Sequence, residues 1–367
     1  MNFRKTTFLF SFLALVLSCQ IEAQSLYTYT KPETTDDGWK TNDLKTHVIN
    51  PELINKMFIE LKSEKHEIHS ILVVKDEELI LEEYFDTYSR NTQHDLRSVT
   101  KSIRSILAGI AIDKGYIESL DDPFLKYLKS HSPKKNKDHR KEEISIRDLM
   151  TMSTGLECND WDRKSKGQED RVYKKKDWIQ YTLDLPVVND PGEVSNYCSM
   201  GAILLAEIIS QSSGMEIDEF AQVYLFKPLG IENVSWGHTS KKKIISSGKR
   251  VFMTPRDMAK IGQLILNEGN WKGKQIVSAD WVNQSTTAKT KITNIDYGFL
   301  WWNIPFKYKD QIFSSVVGTG NGGQYIMILS DLNLIAVFTG GAYNSENDKI
   351  PFAIMNQILL PSLADGR

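Results

Sequence analysis

Two short apolar blocks lie in the first quarter of the chain, at residues 71–74 and 78–85, and three polar residues separate them. Short blocks rich in β-branched and aromatic residues, bounded by polar residues, are typical of strands. The pattern therefore predicts a β-hairpin that follows an extended polar lead at residues 24–43.

Helical spacing begins directly after Ser98. The apolar residues that recur at three- and four-residue intervals are Val99, Ile103, Ile106, Leu107 and Ile110. This spacing predicts a helix that starts at Ser98, buries at least one face and ends near Gly115.

Residues 117–266 are mostly helical in pattern, with long polar loops. The segments 134–137 and 163–176 are rich in charge, which predicts solvated loops. A Pro-Gly turn signal at Pro191 precedes an apolar helix predicted over residues 201–210.

The last hundred residues return to a strand pattern and finish in a helix over 350–360. The predicted strands cover 297–302, 312–317, 324–329 and 334–338. Strands at both ends of a helical middle predict an α/β (α+β) fold with one antiparallel sheet flanked by helices. We expect residues 24–95 and 269–367 to form a discontinuous sheet domain, 96–268 to form an inserted, mostly helical domain, and the active site to lie at their interface.

The first residues predict an export signal. Arg4 and Lys5 precede an apolar run at residues 8–17, which is about half the roughly 20 residues that a membrane span needs. Cleavage after Ala23 is favoured, and lipidation at Cys19 is the alternative. The pattern predicts a periplasmic or secreted protein, or a lipoprotein anchored through Cys19.

The charge, histidine and cysteine content of the chain bear on which ligands and cross-links it can have. With 45 basic and 47 acidic residues the formal net charge is −2, which disfavours a nucleic-acid binder. The seven histidines form no metal motif, so neither a metal nor a cofactor is predicted. Export would permit a disulfide between Cys158 and Cys198, and two buried free thiols are the alternative.

Ser98 and Lys101 form a Ser-x-x-Lys pair at the start of the predicted helix. Residues three apart on a helix face the same side, so a lysine that loses its proton can accept one from the serine. The helix N-terminus offers free N–H groups to an oxyanion. The alternative is an N-cap serine beside a solvated lysine. The same pattern recurs in polar stretches at Ser132/Lys135, Ser240/Lys243 and Ser246/Lys249.

Two further elements have catalytic potential. Tyr197 and Ser199 precede the apolar helix, where a tyrosine beside a lysine could relay protons, although a core aromatic is the simpler interpretation. The segment 318–324 contains four glycines, and a strand follows it, which excludes a dinucleotide fingerprint. Its glycines indicate either a tight turn or an edge strand that pairs with a substrate amide and lends an N–H to an oxyanion hole.

Taken in order, these motifs resemble the serine β-lactamase and penicillin-binding-protein superfamily. The segments that carry the resemblance are 97–102, 144–156, 253–260, 297–302 and 320–324. They are most similar to class C β-lactamase-related hydrolases of the 6-aminohexanoate-dimer hydrolase and carboxylesterase branch. The resemblance spans about residues 39–360.

The resemblance implies a role for each matching residue. Ser98 would be the acylated nucleophile, Lys101 its general base, and Tyr197 the proton relay to the leaving group. The backbone N–H groups of Ser98 and Asn321 would form the oxyanion hole. The residues expected to contact substrate are Ser199, Thr319, Gly320, Gly322 and Trp161.

One departure from the family pattern affects the expected substrate. Gly318 stands where the family has Lys or His, so a β-lactam carboxylate would lose its cationic partner there. The sequence therefore favours an exported serine hydrolase that cleaves a small or peptide-like ester or amide. A non-hydrolytic cell-wall peptide sensor and a weak β-lactamase are the alternatives. Nothing in the sequence identifies the group that activates the deacylating water.

Overall fold

The structure is a computed structural model, and it describes residues 27–48, 50–63, 65–238 and 244–364. The predicted signal at residues 1–23, with Cys19 and both cleavage sites, lies outside the described residues. In the described part of the chain, no helix has the length and apolar character needed to cross a membrane.

A large twisted sheet forms the centre of the fold. Its strands are β1 (Lys40–Thr41), β2 (Ile68–Lys75), β3 (Glu78–Tyr84), β9 (Thr290–Ile292), β10 (Ile295–Tyr297), β11 (Trp302–Asn303), β14 (Val316–Gly320), β15 (Gln324–Leu329) and β16 (Leu334–Gly340). Across the described ranges their order is β1-β3-β2-β16-β15-β14-β11-β10-β9. The predicted hairpin is β2–β3, and β2 pairs with β16, so the two ends of the chain meet in one sheet.

The remaining strands form smaller ribbons. They are β4 (His94–Asp95), β5 (Val234–Gly237) and β6 (Arg250–Met253), then β7 (Asn270–Trp271) with β8 (Lys274–Gln275), and β12 (Phe306–Tyr308) with β13 (Gln311–Phe313). The β4-β6-β5 sheet was not predicted, because strands of two to four residues carry no readable periodicity.

Helices cover the sheet and fill the middle of the chain. The α-helices are α1 (Pro51–Ser63), α2 (Val99–Asp113), α3 (Ile146–Met150), α4 (Glu169–Val172), α5 (Trp178–Leu183), α6 (Ser199–Ser213), α7 (Ile217–Ala221), α8 (Pro255–Leu266), α9 (Ala279–Thr286), α10 (Ile350–Ile354) and α11 (Leu360–Ala364). π-helical turns at Gln222–Phe226 and Met355–Leu359 extend α7 and join α10 to α11. Short 3₁₀ turns occur at Leu44–Thr46, Phe124–Lys126, His139–Glu142, Ser246–Gly248, Ser330–Leu332 and Glu346–Lys349.

Helix α2 is the buried centre of the molecule. Every residue from Val99 to Ala111 is buried, and the helix packs against α6, α9 and β14. Helix α8 packs on β15, β16 and β2, where Gly262 permits close approach because a Cβ there would lie 2.8 Å from Ile335 Cγ2. The start of α2 is thereby fixed beside the end of β14.

The predicted α+β class, with helices flanking a sheet, is confirmed, and several details differ. The sheet is mixed rather than wholly antiparallel, because β1 pairs with β3 in parallel. The predicted strands at 297–302 and 312–317 are each broken in two, the first by a turn in which Gly298 N–H donates to the carbonyl of Trp301. The proposed division into two domains stays a prediction.

The segment 163–176 is exposed at most of its charged residues, as predicted, but it is not simply a solvated loop. Helix α4 lies inside this segment, Val172 is fully buried, and Tyr173 packs against Trp178 with ring centroids 4.7 Å apart. Two apolar side chains among many charges are enough to anchor the segment, since burial of each stabilises by roughly 1.5–3 kcal/mol.

Candidate active site

Ser98 directly precedes α2, and its hydroxyl does not cap the helix. Instead Lys101 Nζ donates a hydrogen bond of 2.7 Å to Ser98 Oγ. Arg97, the residue before it, has a φ of 50°, a left-handed conformation that costs free energy for a residue other than glycine. The N-cap alternative therefore does not describe how this serine is used.

Lys101 is held in a buried position between the serine and Tyr197. Only 7% of Lys101 and 8% of Tyr197 is exposed. The ammonium lies over the tyrosine ring, with Nζ 4.9 Å from the ring centroid, a cation–π contact. Among the described residues Lys101 Nζ hydrogen-bonds to Ser98 Oγ and not to the tyrosine hydroxyl.

The end of β14 lies against the chain that carries the nucleophile. A Cβ at Gly320 would lie 2.4 Å from the carbonyl oxygen of Leu96, so only glycine permits this approach. Asn321 follows at once and shares a cavity lining with Ser98. Within the described ranges, no acceptor is found for the backbone N–H of either Ser98 or Asn321, which leaves both free for an oxyanion.

The glycine-rich end of β14 is open on one side within the described residues, like the edge strand that the sequence suggested, although the start of the strand is internal. β14 pairs with β15 along its whole length, but β11 reaches only Val316 and Val317. From Gly318 onward the second side of β14 therefore has no strand partner in the described residues. Asn321 is fixed by two side-chain bonds with Asn344, both of 2.9 Å.

Three aromatic rings form a wall next to the lysine. Tyr197 stacks on Trp161 at 5.0 Å and on Trp302 at 5.8 Å between centroids. Trp161 is 54% exposed, whereas Trp302 is buried. The wall therefore presents an apolar edge to solvent.

Two carboxylates converge on the hydroxyl of Ser199. Its Oγ lies 2.7 Å from Asp160 Oδ2 and 3.2 Å from Glu169 Oε2. Ser199 N–H also donates to Asp160, and the Tyr173 hydroxyl donates to Glu169 Oε2 at 2.8 Å. Ser199 lies at the cavity, and its hydroxyl proton is engaged by these acids.

Burial and the neighbouring Glu169 raise the pKa of Asp160 to about 6, against the opposing effects of Lys101 and the Ser199 bonds. Arg104 lies on α2, three residues after Lys101, and burial lowers its pKa to about 10. On the other side of the site Arg250 forms a two-point ion pair with Asp95. Charges of both signs thus surround the Ser98–Lys101 pair.

A disulfide joins Cys158 to Cys198, with Cα atoms 5.6 Å apart. Beside it, Asp160 N–H donates to the carbonyl of Tyr197 at 2.8 Å. With the Trp161–Tyr197 stack and the Asp160–Ser199 bonds, these contacts form what we call the 158–199 clamp: residues 158–161 bound to residues 197–199. The clamp fixes Tyr197 relative to the acids.

A cavity of about 110 Å³ lies at the centre of these groups, and its lining includes Ser98, Lys101, Glu169, Ser199 and Asn321. The other predicted substrate contacts lie outside this lining. They are Trp161, Thr319, Gly320 and Gly322.

One of those outlying residues, Gly322, has a structural contact of its own. Gly322 faces Tyr343, since a Cβ at Gly322 would lie 2.5 Å from the tyrosine ring.

A larger surface depression of about 540 Å³ near Arg140 and Asp190 contains none of the predicted site residues.

Sequence reasoning missed Asp160, Glu169 and Tyr173. The only signal was weak: Val172 and Tyr173 interrupt a run of charged residues, which indicates a buried turn within it. In the described ranges, no three His, Cys, Asp or Glu side chains are grouped in a way that could hold a metal ion.

The sequence model of the family described as Beta-lactamase matches residues 62–353. An uncharacterized protein of Alkalihalophilus pseudofirmus is 24% identical, over 75% of this chain and 84% of its own length. The 6-aminohexanoate-dimer hydrolase of Paenarthrobacter ureafaciens is 23% identical, over 63% of this chain and 60% of its own length.

Among solved structures, a class C beta-lactamase superposes with a TM-score of 0.63 at 15% identity, covering 85% of this chain and 95% of that protein. At this identity the likeness shows the shared fold. The family match extends over most of the chain and includes both the Ser98–Lys101 start of α2 and the glycine-rich end of β14. The chain belongs to the beta-lactamase family.

Proposed function

We propose that the protein is a serine hydrolase that cleaves an ester or amide bond through an acyl-enzyme on Ser98. The observation that carries this proposal is the 2.7 Å hydrogen bond between Lys101 Nζ and a serine hydroxyl that caps nothing. Neither a metal nor a cofactor is needed for this chemistry.

The geometry supports the following acylation step. Lys101 in its neutral form takes the proton of Ser98 Oγ, which attacks the substrate carbonyl. The negative charge that develops on the carbonyl oxygen is stabilised by the N–H groups of Ser98 and Asn321. Tyr197, beside the lysine, passes a proton to the departing alcohol or amine.

The glycine at position 318 affects which substrate class we expect. Glycine supplies no cationic side chain for carboxylate recognition here, and a Cβ at this position would fit tightly, 3.3 Å from Ser102 Oγ and 3.3 Å from Trp301. We therefore favour esters and amides over β-lactams. The name of the 6-aminohexanoate-dimer hydrolase relative supports amides within that class.

We also propose that the protein works outside the cytoplasm. The disulfide between Cys158 and Cys198 supports this, because disulfides persist mainly in oxidising compartments. The amino-terminal pattern supports it too, either by cleavage after Ala23 or by lipidation at Cys19.

The test combines a fluorophosphonate probe with p-nitrophenyl ester turnover. We expect one probe adduct by intact mass on the wild type and none on Ser98→Ala. Ser132→Ala is the matched control, since Ser132 is an exposed serine in another Ser-x-x-Lys pair. Lys101→Ala should slow acylation by about 10²–10⁴-fold.

Each outcome has a meaning. An adduct on the wild type without turnover would favour the peptide sensor, and wild-type turnover by Ser98→Ala would end the nucleophile assignment. Hydrolysis of a β-lactam faster than that of short esters and amides would contradict the substrate class.

A further inference from the structure

Hydrolysis of an acyl-enzyme requires a water molecule that loses a proton as it attacks. Lys101 and Tyr197 account for acylation, and nothing described so far removes that proton. The two carboxylates at Ser199 are the groups that acylation leaves unused.

Asp160 is not available for this task. Its Oδ1 accepts from the backbone N–H of Glu169 at 3.1 Å, and its Oδ2 accepts from both the N–H and the hydroxyl of Ser199 at 2.7 Å. Both oxygens are therefore engaged within the protein. Asp160 serves to hold Glu169 and Ser199 in place.

Glu169 differs from Asp160 in one respect. Its Oε2 is held by the hydroxyls of Tyr173 and Ser199, at 2.8 and 3.2 Å. Its Oε1 has no hydrogen-bond partner among the described residues, and the side chain is half-buried at the cavity that it shares with Ser98. One oxygen thus orients the carboxylate and the other is free.

The cavity can hold the reactant. Its volume of about 110 Å³ exceeds the roughly 30 Å³ that one water molecule occupies in the liquid. Its lining includes polar residues that can bind such a water, among them Glu169, Lys101 and Asn321.

We propose that Glu169 is the general base that activates the deacylating water. The step rests on the proposed hydrolase function. Water adds its oxygen to the acyl carbon while its proton passes to Glu169 Oε1. The bond between the acyl carbon and Ser98 Oγ then breaks, and the proton held by Glu169 passes through the cavity to the serine oxygen. This restores the Glu169 carboxylate, and Lys101, whose proton left with the alcohol or amine through Tyr197, is neutral for the next cycle.

The two neighbours of Glu169 are positioning residues in this scheme. Burial of Asp160 and repulsion between the two carboxylates raise the pKa of Asp160 to about 6. The Tyr173 hydroxyl restrains the carboxylate through Oε2 and leaves Oε1 without a partner among the described residues.

The test uses Glu169→Gln in the full chain. Glutamine keeps an acceptor for Tyr173 but cannot accept a proton. With p-nitrophenyl acetate we expect a burst near one equivalent per enzyme at the wild-type acylation rate, followed by turnover slowed about 10²–10⁴-fold. Intact mass should show an acetyl adduct, and hydroxylamine, a stronger nucleophile than water, should release it as the hydroxamate.

Glu193→Gln is the matched control, because it removes the same charge from an exposed glutamate that lies outside the cavity lining. We expect neither a burst nor an adduct in this variant. Tyr173→Phe should retain acylation and slow deacylation less than Glu169→Gln does. Thermal unfolding of all three variants shows whether each is folded.

Three results would overturn the proposal. If Glu169→Gln slows acylation and deacylation equally and no adduct accumulates, Glu169 assists Lys101 in both steps and is not a specific base for the water. If the substitution only raises KM for amine-bearing substrates, Glu169 binds a cationic group of the substrate. A wild type that is acylated but never turns over would overturn the proposed hydrolase as well, which the Glu169 variants alone cannot do.

Discussion

The indole of Trp161 lies parallel to the ring of Tyr197, with centroids 5.0 Å apart and 4° between the planes. A tryptophan that is 54% exposed thus covers one face of the residue that we expect to protonate the leaving group. The stack excludes water from that face.

We expect Trp161→Ala to lower kcat/KM for ester hydrolysis by about threefold to tenfold, because such stacks contribute about 0.5–1.5 kcal/mol. The free energy of unfolding should change little, since the residue is exposed. Trp161→Phe retains a ring and should recover most of the activity. Equal kcat/KM in all three proteins would remove Trp161 from the site.

Gly320→Ala tests the contact between β14 and the nucleophile. Its Cβ would meet the Leu96 carbonyl oxygen at 2.4 Å, whereas a Cβ at Gly318 has no contact under 3.3 Å. We expect Gly320→Ala to reduce probe labelling of Ser98 at least tenfold and to destabilise the fold by roughly 1–3 kcal/mol. Gly318→Ala should be much milder in both assays. Similar effects at the two positions would contradict the geometry.

The disulfide closes a loop with a sequence separation of 40 residues. Loop-closure entropy then predicts that replacing Cys158 and Cys198 by alanine lowers the free energy of unfolding by about 4 kcal/mol. Denaturant unfolding with and without reductant measures this. The wild type should match the double variant only when it is reduced, and a reductant-insensitive wild type would show that the thiols are not joined in solution.

Acid should destabilise the fold through buried histidines. Burial lowers the pKa of both His69 and His94 to about 4. Because the unfolded chain binds these protons near pH 6.5 and the folded chain only near 4, the free energy of unfolding falls as pH drops through that window.

His94, 6% exposed, should contribute up to roughly 3 kcal/mol of this loss. His94→Phe should flatten the pH dependence of unfolding between pH 6.5 and 4. The difference between the two proteins isolates the histidine, since the raised pKa of Asp160 acts in the opposite direction over part of the same range. Parallel curves for wild type and variant would contradict the prediction.

The spacing of apolar residues along the chain was enough to predict the strands and helices whose side chains are buried at regular intervals. The β2–β3 hairpin, helix α2 and the strand β15 occur where the pattern placed them. Strands β4, β5 and β6 were not predictable, because their pairing depends on contacts between distant segments. The short helix α4 was not predicted either, because the charged residues around Val172 and Tyr173 obscure its apolar positions.

The residues of the candidate site also fall into two groups, those that local sequence predicts and those that only long-range contacts bring together. Ser98 and Lys101 are brought together by local helix geometry, which a sequence displays. Glu169 meets Ser199 only because the 158–199 clamp folds one segment onto the other. No local pattern encodes that meeting, so the acids were absent from the predicted site.

The 158–199 clamp has a consequence for how this active site can change. Residues 162–196 lie between the two halves of the clamp, so they form a cassette in which exposed residues can change while the disulfide and the Trp161 stack keep Tyr197 in place. Glu169 lies inside that cassette, and Ser98 and Lys101 lie outside it. Exchange of the cassette between related proteins could therefore turn an enzyme that releases its acyl group into one that keeps it, with the nucleophile untouched.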